Sequence, residues 1–162
     1  MKLDKNVQRK AFLDMIAYSE GTDNGRQPTK DRGYDVIVGG KLFSDYSKHP
    51  GVYVKLNAKL TSSAAGRYQV LEKFAKHYMK QLGLPDFGPA SQDKIALQLI
   101  RECKALADID EGRIHQAIYK CRSRWASFPP PPGAGKLYNQ RAESIDKMLE
   151  IFKKAGGVVT DE

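Results

Sequence analysis

The carboxylate at the end of the first predicted helix is the residue whose position most suggests chemistry. Glu20 lies in the segment AYSEGTDNG, directly after an amphipathic run and directly before Gly21. The last turn of a helix favours Lys, Arg or His, because the helix macrodipole is negative there. A carboxyl near such an end and beside apolar side chains has a raised pKa, which suits a general acid. The alternative interpretation is a solvated helix-end glutamate.

Two further features suggest contact with sugars. The stretch TSSAAGRYQ, Thr61 to Gln69, combines small residues with the flat ring of Tyr68 and the amide of Gln69. Sugar-binding sites combine such ring faces with paired polar groups. An equal alternative for this stretch is the N-terminus of a helix with a buried tyrosine. Trp125, the only tryptophan, is either a core anchor or a stacking platform at a cleft edge.

Other catalytic motifs are missing from the sequence. His49, His77 and His115 lack ligand spacing, so we expect neither a metal nor a cofactor. Cys103 and Cys121 fall within apolar helical patterns, and we predict reduced core thiols rather than a disulfide framework.

The charge balance favours polyanionic partners. The chain of 162 residues has 27 Lys and Arg against 19 Asp and Glu, a net charge of +8. Nucleic acid, acidic lipid and anionic cell-wall polymers all fit such a surface, and charge alone does not choose among them. No apolar run approaches the roughly 18 residues of a membrane span, so we expect no stable membrane insertion. The N-terminal pattern is not that of a secretory signal peptide.

Periodicity predicts a mainly helical α+β fold in a single domain, 1–162. Apolar stripes predict helices over about 7–18, 70–82, 91–106, 114–121 and 142–152, with Ser91 as an N-cap. The segment 35–43, DVIVGGKLF, predicts two short strands around Gly39-Gly40. The segment 53–61, YVKLNAKLT, predicts a third strand or an extended loop. A small β lobe beside helices produces a cleft, and Glu20 lies where the chain passes from one to the other.

Several ordered blocks resemble the lambda-type bacteriophage endolysins. They are QRKAFLDMIAYSEGTDNGR, GYDVIVGGKLFSDYSKHP, AGRYQ, KQLGLPDFGPASQD and WASFP, and they extend from about Gln8 to Gly157. The resemblance implies a lysozyme-like fold in which a small antiparallel β lobe flanks a glycan-binding cleft. It also implies a lytic transglycosylase that cuts the β-1,4 bond from N-acetylmuramic acid to N-acetylglucosamine in peptidoglycan, leaving a 1,6-anhydro ring.

The resemblance assigns Glu20 as the catalytic acid and places Tyr68 and Gln69 in the sugar-binding segment. With Ser62, Trp125 and Tyr46, these two residues make up the predicted substrate-binding set. Two lips are expected to border the cleft, at Asp45 to Lys59 and Phe128 to Gln140. We further expect a monomer that stays in the host cytoplasm until a separate pore-forming protein, a holin, releases it to the wall.

The residues also bear on the reaction type. A two-carboxylate glycosidase needs a second Asp or Glu near the first. Another class of phage lysozymes has an aspartate about nine residues after its glutamate, where this chain has Thr29. One carboxyl used twice suffices for anhydro-ring formation, although Asp23 and Asp35 remain candidates for a second carboxylate. Two alternatives remain: a hydrolytic muramidase, and a non-catalytic protein that binds wall polymer or nucleic acid.

The run Pro129 to Pro132 departs from the family pattern, in which a single proline precedes the glycines. Prolines fix φ and favour a stiff polyproline segment. We therefore expect a longer and stiffer second lip, with catalysis itself unaffected.

Overall fold

The apolar stripes of the sequence become helices. A computed structural model describes residues 2–133 and 143–162. In this part of the chain the helices are α1 (Lys5–Glu20), α2 (Glu72–Gln81), α3 (Pro89–Glu102), α4 (Leu106–Asp110), α5 (Ile114–Cys121) and α6 (Ile145–Lys154). Each stripe predicted as a helix is confirmed, and the predicted helix start at Ala142 lies outside the described residues.

The boundaries of α3 differ from the prediction for local reasons. The stripe that continues to Leu106 is broken after Glu102, because Lys104 has a φ of 59°, outside the helical range. A separate short helix, α4, follows. Ser91 lies inside α3 rather than at its N-cap, and its hydroxyl donates to Asp86 Oδ1 at 2.9 Å.

The chain divides into two compact units. Unit 1 comprises Met1–Ser19 and Leu97–Glu162, and unit 2 comprises Glu20–Ala96. One boundary therefore falls immediately before the last residue of α1, and the other falls within α3.

Unit 1 has an apolar interior. The ring of Phe128 meets Phe12 edge-on at 6.1 Å and lies 5.9 Å from the ring of Trp125. Other fully buried side chains of this unit are Met15, Ile16, Ile100, Ile109, Ile114 and Phe152. Full burial of a large apolar side chain contributes about 1.5–3 kcal/mol, so this cluster dominates the stability of the unit.

A buried amide joins distant parts of unit 1. Gln8 is 1 % exposed, and its Nε2 donates to Ile109 O at 2.9 Å and to Val158 O at 3.0 Å. Its Oε1 accepts from Val158 N at 2.7 Å. Because these groups find partners, burial of the amide costs little.

Unit 2 carries the β structure. β1 (Val54–Asn57) and β2 (Leu60–Ser62) form an antiparallel hairpin. The prediction of one strand or an extended loop over 53–61 is wrong, because the chain reverses at Asn57. The side chain of Asn57 accepts from Lys59 N at 2.8 Å, which builds the turn locally.

The segment 35–43 is a tight turn rather than two strands. Val36 and Leu42 pair as an isolated bridge. Gly39 and Gly40 have φ values of 91° and 104°, which only glycine adopts without strain. The turn is confirmed, whereas the prediction of flanking strands is wrong because too few backbone pairs form.

The described residues combine helices with one small antiparallel sheet, which confirms the α+β class. None of the helices in the described ranges is long and apolar enough to span a membrane. The single-domain organisation stays a prediction.

Candidate active site

Glu20 is the last residue of α1 and the first residue of unit 2. Its side chain is half-buried, and the last turn of α1 contains no basic residue. Gly21 follows with a φ of 79°, and its carbonyl oxygen accepts from Gln27 Nε2 at 2.5 Å. The chain thus leaves the helix through a glycine turn, and the next residues are anchored within unit 2.

Those next residues are anchored on Arg67. Thr22 is 1 % exposed, and its hydroxyl donates to Arg67 O at 2.6 Å. Asp23 Oδ2 forms an ion pair with Arg67 Nη2 at 3.0 Å. Gly33 packs against the other side of this segment, where an added Cβ would lie 2.8 Å from Thr22 O. Residues 22 and 23 are therefore held by side-chain and backbone groups together.

Arg67 belongs to a buried polar network. The hydroxyls of Tyr34 and Tyr68 both donate to Asp93 Oδ1, at 2.9 and 2.5 Å. Burial, together with the nearby Asp93 carboxylate, raises the pKa of both tyrosines, so they remain hydrogen-bond donors. The Arg67 guanidinium lies over both rings, 5.4 and 5.7 Å from their centroids.

Gln92, in α3, holds the backbone of Arg67 and Tyr34 through its side-chain amide. Its Oε1 accepts from Arg67 N at 2.9 Å, and its Nε2 donates to Tyr34 O at 3.1 Å. Gly66, at a φ of 84°, approaches so closely that an added Cβ would lie 2.4 Å from Gln92 Oε1. The glycine of the AGRYQ stretch is thus required by close packing.

The two residues of AGRYQ that the sequence predicts as sugar contacts differ in exposure. Tyr68 is 1 % exposed, so its ring presents no face for stacking, and the structure favours the buried-tyrosine alternative. Gln69 is half-buried with a φ of 55°, and its Nε2 donates to Gly66 O at 2.8 Å and Val36 O at 3.2 Å. Contact of Gln69 with a sugar stays a prediction.

Tyr46 lies beside an open pocket of about 460 Å³ in unit 2. The lining residues are Lys30, Asp31, Asp35, Leu42, Phe43, Ser44 and Tyr46. The Tyr46 hydroxyl donates to Asp31 Oδ2 at 2.7 Å, and its ring meets Phe43 edge-on at 5.4 Å. Burial and the hydrogen bond to Asp31 raise the pKa of Tyr46. Aromatic rings beside charged groups suit sugar binding, and substrate contact by Tyr46 stays a prediction.

Asp35 organises the loop beside this pocket. It is 4 % exposed, and its Oδ1 accepts from Thr29 Oγ1 at 2.6 Å. Its Oδ2 accepts from Lys30 N at 3.0 Å. The Thr29 hydroxyl accepts in turn from Gly33 N at 2.7 Å. These contacts indicate that the Asp35 carboxylate stabilises the loop.

The remaining predicted contact in unit 2 is Ser62, at the end of β2. It is half-buried, and its hydroxyl accepts from Ala64 N at 3.1 Å. Its contact with substrate stays a prediction. The predicted first lip, Asp45 to Lys59, is described throughout, whereas the part of the second lip after Gly133 lies outside the described residues.

Trp125 lies in the core of unit 1. It is 2 % exposed and packs against Phe128. The core-anchor alternative is therefore confirmed. The stacking platform is wrong for this structure, because neither face of the indole is open to a sugar.

The described histidines and carboxylates do not form a metal site. In the ranges that the structure covers, no group of three or more His, Cys, Asp or Glu side chains is arranged to hold a metal ion. Both ring nitrogens of His49 are engaged: Nε2 donates to Val70 O at 2.8 Å, and Nδ1 accepts from Gly51 N at 3.0 Å. Burial lowers the pKa of His49, which keeps the ring neutral.

Four residues of this site were not predicted from the sequence: Thr22, Arg67, Gln92 and Asp93. A signal existed for Gln92, because its spacing from Ile95 and Ala96 places a polar residue on the buried stripe of α3. Arg67 also had a signal, as a charged residue within a small and apolar run. The partners of both residues depend on tertiary structure.

Comparison with known proteins identifies the family. The family model for endolysins matches residues 10–159. The endolysin of Escherichia phage lambda is 58% identical over 156 residues, 96% of each chain. The endolysin of Escherichia phage P2 is 52% identical over 159 residues, 91% of this chain and 92% of that one. The chain therefore belongs to the endolysin family, the bacteriophage enzymes of cell-wall lysis.

Solved structures give the fold. The chain matches bacteriophage lambda lysozyme complexed with a chitohexasaccharide at a TM-score of 0.88, with 56% identity and 99% of both chains covered. A second structure of lysozyme from bacteriophage lambda matches at a TM-score of 0.87, with 54% identity and the same coverage. The lysozyme-like fold implied by the resemblance is confirmed.

Proposed function

We propose that this endolysin is a lytic transglycosylase of bacterial peptidoglycan. It cleaves the β-1,4 bond from N-acetylmuramic acid to N-acetylglucosamine and leaves a 1,6-anhydro ring on the muramic acid. Glu20 is the catalytic acid, and the proposed sugar contacts are Gln69, Tyr46 and Ser62.

The proposed reaction uses one carboxyl twice. The Glu20 carboxyl donates its proton to the bridging oxygen while the bond from that oxygen to C1 of muramic acid breaks. The Glu20 carboxylate then takes the proton of the C6 hydroxyl of the same sugar, whose oxygen forms the new bond to C1. The carboxyl is regenerated, and no water is consumed.

The engagement of Asp23 and Asp35 is the observation that supports this mechanism over hydrolysis. A two-carboxylate hydrolase needs a second carboxylate that can activate water or bond to C1. Asp23 is paired with Arg67, and Asp35 is buried with two hydrogen-bond donors. Thr29 uses its hydroxyl to hold Asp35. Both candidate second carboxylates are therefore engaged in contacts that stabilise the local structure.

A glycan substrate is supported by similarity and by charge. The related lambda lysozyme was solved with a chitohexasaccharide, and its sequence is 56% identical. The net charge of +8 favours approach to an anionic wall. We propose peptidoglycan glycan strands, rather than nucleic acid, as the partner of a monomeric enzyme that needs no cofactor.

Access to this substrate requires passage through the inner membrane. We propose that the protein accumulates in the host cytoplasm and depends on a holin for release. Cells that express the chain alone should stay intact until their inner membrane is permeabilised, and then lyse. Rapid lysis without permeabilisation would contradict the dependence.

The assignment of the acid is tested by Glu20→Gln. We expect a loss of at least roughly 10²-fold in the rate of peptidoglycan cleavage, with binding of chitohexaose retained, because only the transferable proton is removed. Glu72→Gln is the matched control, since Glu72 is the other glutamate of unit 2 and should leave the rate near wild type. Full activity of Glu20→Gln would contradict the assignment, and an inactive wild type that binds the wall would favour a binding protein.

A further inference from the structure

We infer that Arg67 is a positioning residue, which holds the segment after Glu20 and thereby fixes the direction of the catalytic carboxyl. The inference rests on the proposed function, because it takes Glu20 as the acid. Arg67 is not proposed to touch the substrate, since its side chain is only 7% exposed.

The segment after Glu20 determines how the chain leaves the helix that carries the acid. Glu20 ends α1, which holds its backbone from the preceding residues, and the course of the chain beyond it depends on the residues that follow. Gly21 has no side chain and a φ of 79°. Thr22, at 1 % exposure, is the next residue and the first with a side chain to anchor the segment.

Arg67 is the anchor of this segment. Arg67 holds two consecutive residues through two different groups: its carbonyl oxygen accepts from Thr22 Oγ1 at 2.6 Å, and its Nη2 donates to Asp23 Oδ2 at 3.0 Å. Directional bonds to both residues fix the orientation of the segment as well as its distance.

The Arg67 side chain is itself held in one orientation. Its Nε donates to Arg32 O at 2.9 Å, and its Nη1 donates to the Tyr68 hydroxyl at 3.3 Å. The guanidinium also lies over the rings of Tyr34 and Tyr68. A lysine keeps the charge but has neither the planar fork nor the number of donors, so it cannot make these contacts together.

The rate of proton transfer depends on the position of the catalytic carboxyl. A displacement of about 1 Å of a catalytic group costs on the order of 10²-fold in rate. We expect Arg67→Lys to lower kcat by about 10- to 10²-fold, while KM changes less than about twofold because no proposed sugar contact is altered.

The experiment measures kcat and KM on peptidoglycan for the full chain, four variants of the site and one control variant, well below their melting temperatures. The variants of the site are Glu20→Gln, Arg67→Lys, Asp23→Asn and the double variant Arg67→Lys with Asp23→Asn. Ile118→Ala, in the core of unit 1, controls for general loss of stability. The inference predicts that kcat falls in both single variants, and that their losses are not additive in the double variant.

Each outcome distinguishes the two proposals. Full activity of Glu20→Gln overturns the proposed function and this inference together. Loss of activity in Glu20→Gln with wild-type kcat in Arg67→Lys overturns only the inference. If Arg67→Lys does not fold, Asp23→Asn alone decides: a kcat loss of about 3- to 10-fold at unchanged KM supports the inference, and no loss overturns it. A loss in Asp23→Asn as large as that in Glu20→Gln, or a kcat loss in Ile118→Ala equal to that in Arg67→Lys, also overturns it.

Discussion

The two units are stabilised by different interactions. In the described part of unit 1 the buried charge is a carboxylate, Asp108, and its cationic partners Arg113 and Lys120 are largely exposed. In unit 2 the arginine itself is buried: Arg67 pairs with Asp23 and lies over the ring of Tyr68. Apolar contacts stabilise without direction, while hydrogen bonds to charged groups fix orientation. In unit 2, which begins with the proposed acid, the buried arginine makes directional bonds to the residues that follow that acid.

The largest expected effect is on the apolar core of unit 1. Trp125→Ala should lower the free energy of unfolding by about 3–5 kcal/mol, because it removes a buried indole and leaves a cavity. Thermal unfolding measures this loss. Binding of chitohexaose, measured where the variant is folded, should not change. Weakened binding at an unchanged melting temperature would instead indicate a stacking platform.

The next effect is on the polar interior of unit 2. Tyr68→Phe should cost roughly 1.5–3 kcal/mol, because Asp93 loses a buried donor. The matched control is Tyr53→Phe, which removes a similar bond to Glu72 from a residue that is 63% exposed. The control should stay within about 0.5 kcal/mol in urea unfolding. Equal losses in the free energy of unfolding would show that burial does not strengthen the contribution of the Tyr68 hydrogen bond.

His49 gives unit 2 a pH dependence. Burial lowers the pKa of the folded-state imidazole, whereas in the unfolded chain it titrates near 6.5. Below that pH the unfolded state binds the extra proton, so stability falls as the pH decreases, by up to about 1.4 kcal/mol per pH unit. Urea unfolding from pH 7 to pH 5 measures the slope. His49→Gln should flatten it, and an unchanged slope would contradict the neutral buried ring.

The smallest effect on stability concerns the thiols of unit 1. A hydrogen bond from the Cys121 thiol lowers the pKa of Cys103 to about 6, and Cys103 is half-buried whereas Cys121 is fully buried. Iodoacetamide at neutral pH should therefore label Cys103 first, as mapped by mass spectrometry. Cys103→Ser should lose the fast label with little change in melting temperature. Faster labelling of Cys121 would show that the order is wrong.

Local patterns were enough to predict the helices and to place Glu20 at the end of the first one. The apolar stripes of α1 and α5 repeat at helical spacing, and a glutamate at a helix end is visible as a violation of a local preference. The sequence did not predict the hairpin, because the alternation over 53–61 fits a single strand equally well, whereas the turn depends on the Asn57 side chain accepting from Lys59 N.

The polar interior of unit 2 could not be predicted in the same way. Arg67 meets Asp23 across 44 positions, and Tyr68 meets Asp93 across 25. Such pairs depend on the path of the whole chain, so the sequence left Tyr68 with two interpretations and did not identify Arg67. The alternative of a buried tyrosine was correct because Asp93 supplies the partner that its hydroxyl needs.

The central claim is that one carboxyl completes the reaction without water. Digestion of purified peptidoglycan in water labelled with heavy oxygen, followed by mass spectrometry of the fragments, tests it most directly. We expect anhydro ends that contain no heavy oxygen. Reducing ends that carry one heavy oxygen each, and are heavier by one water molecule, would contradict it.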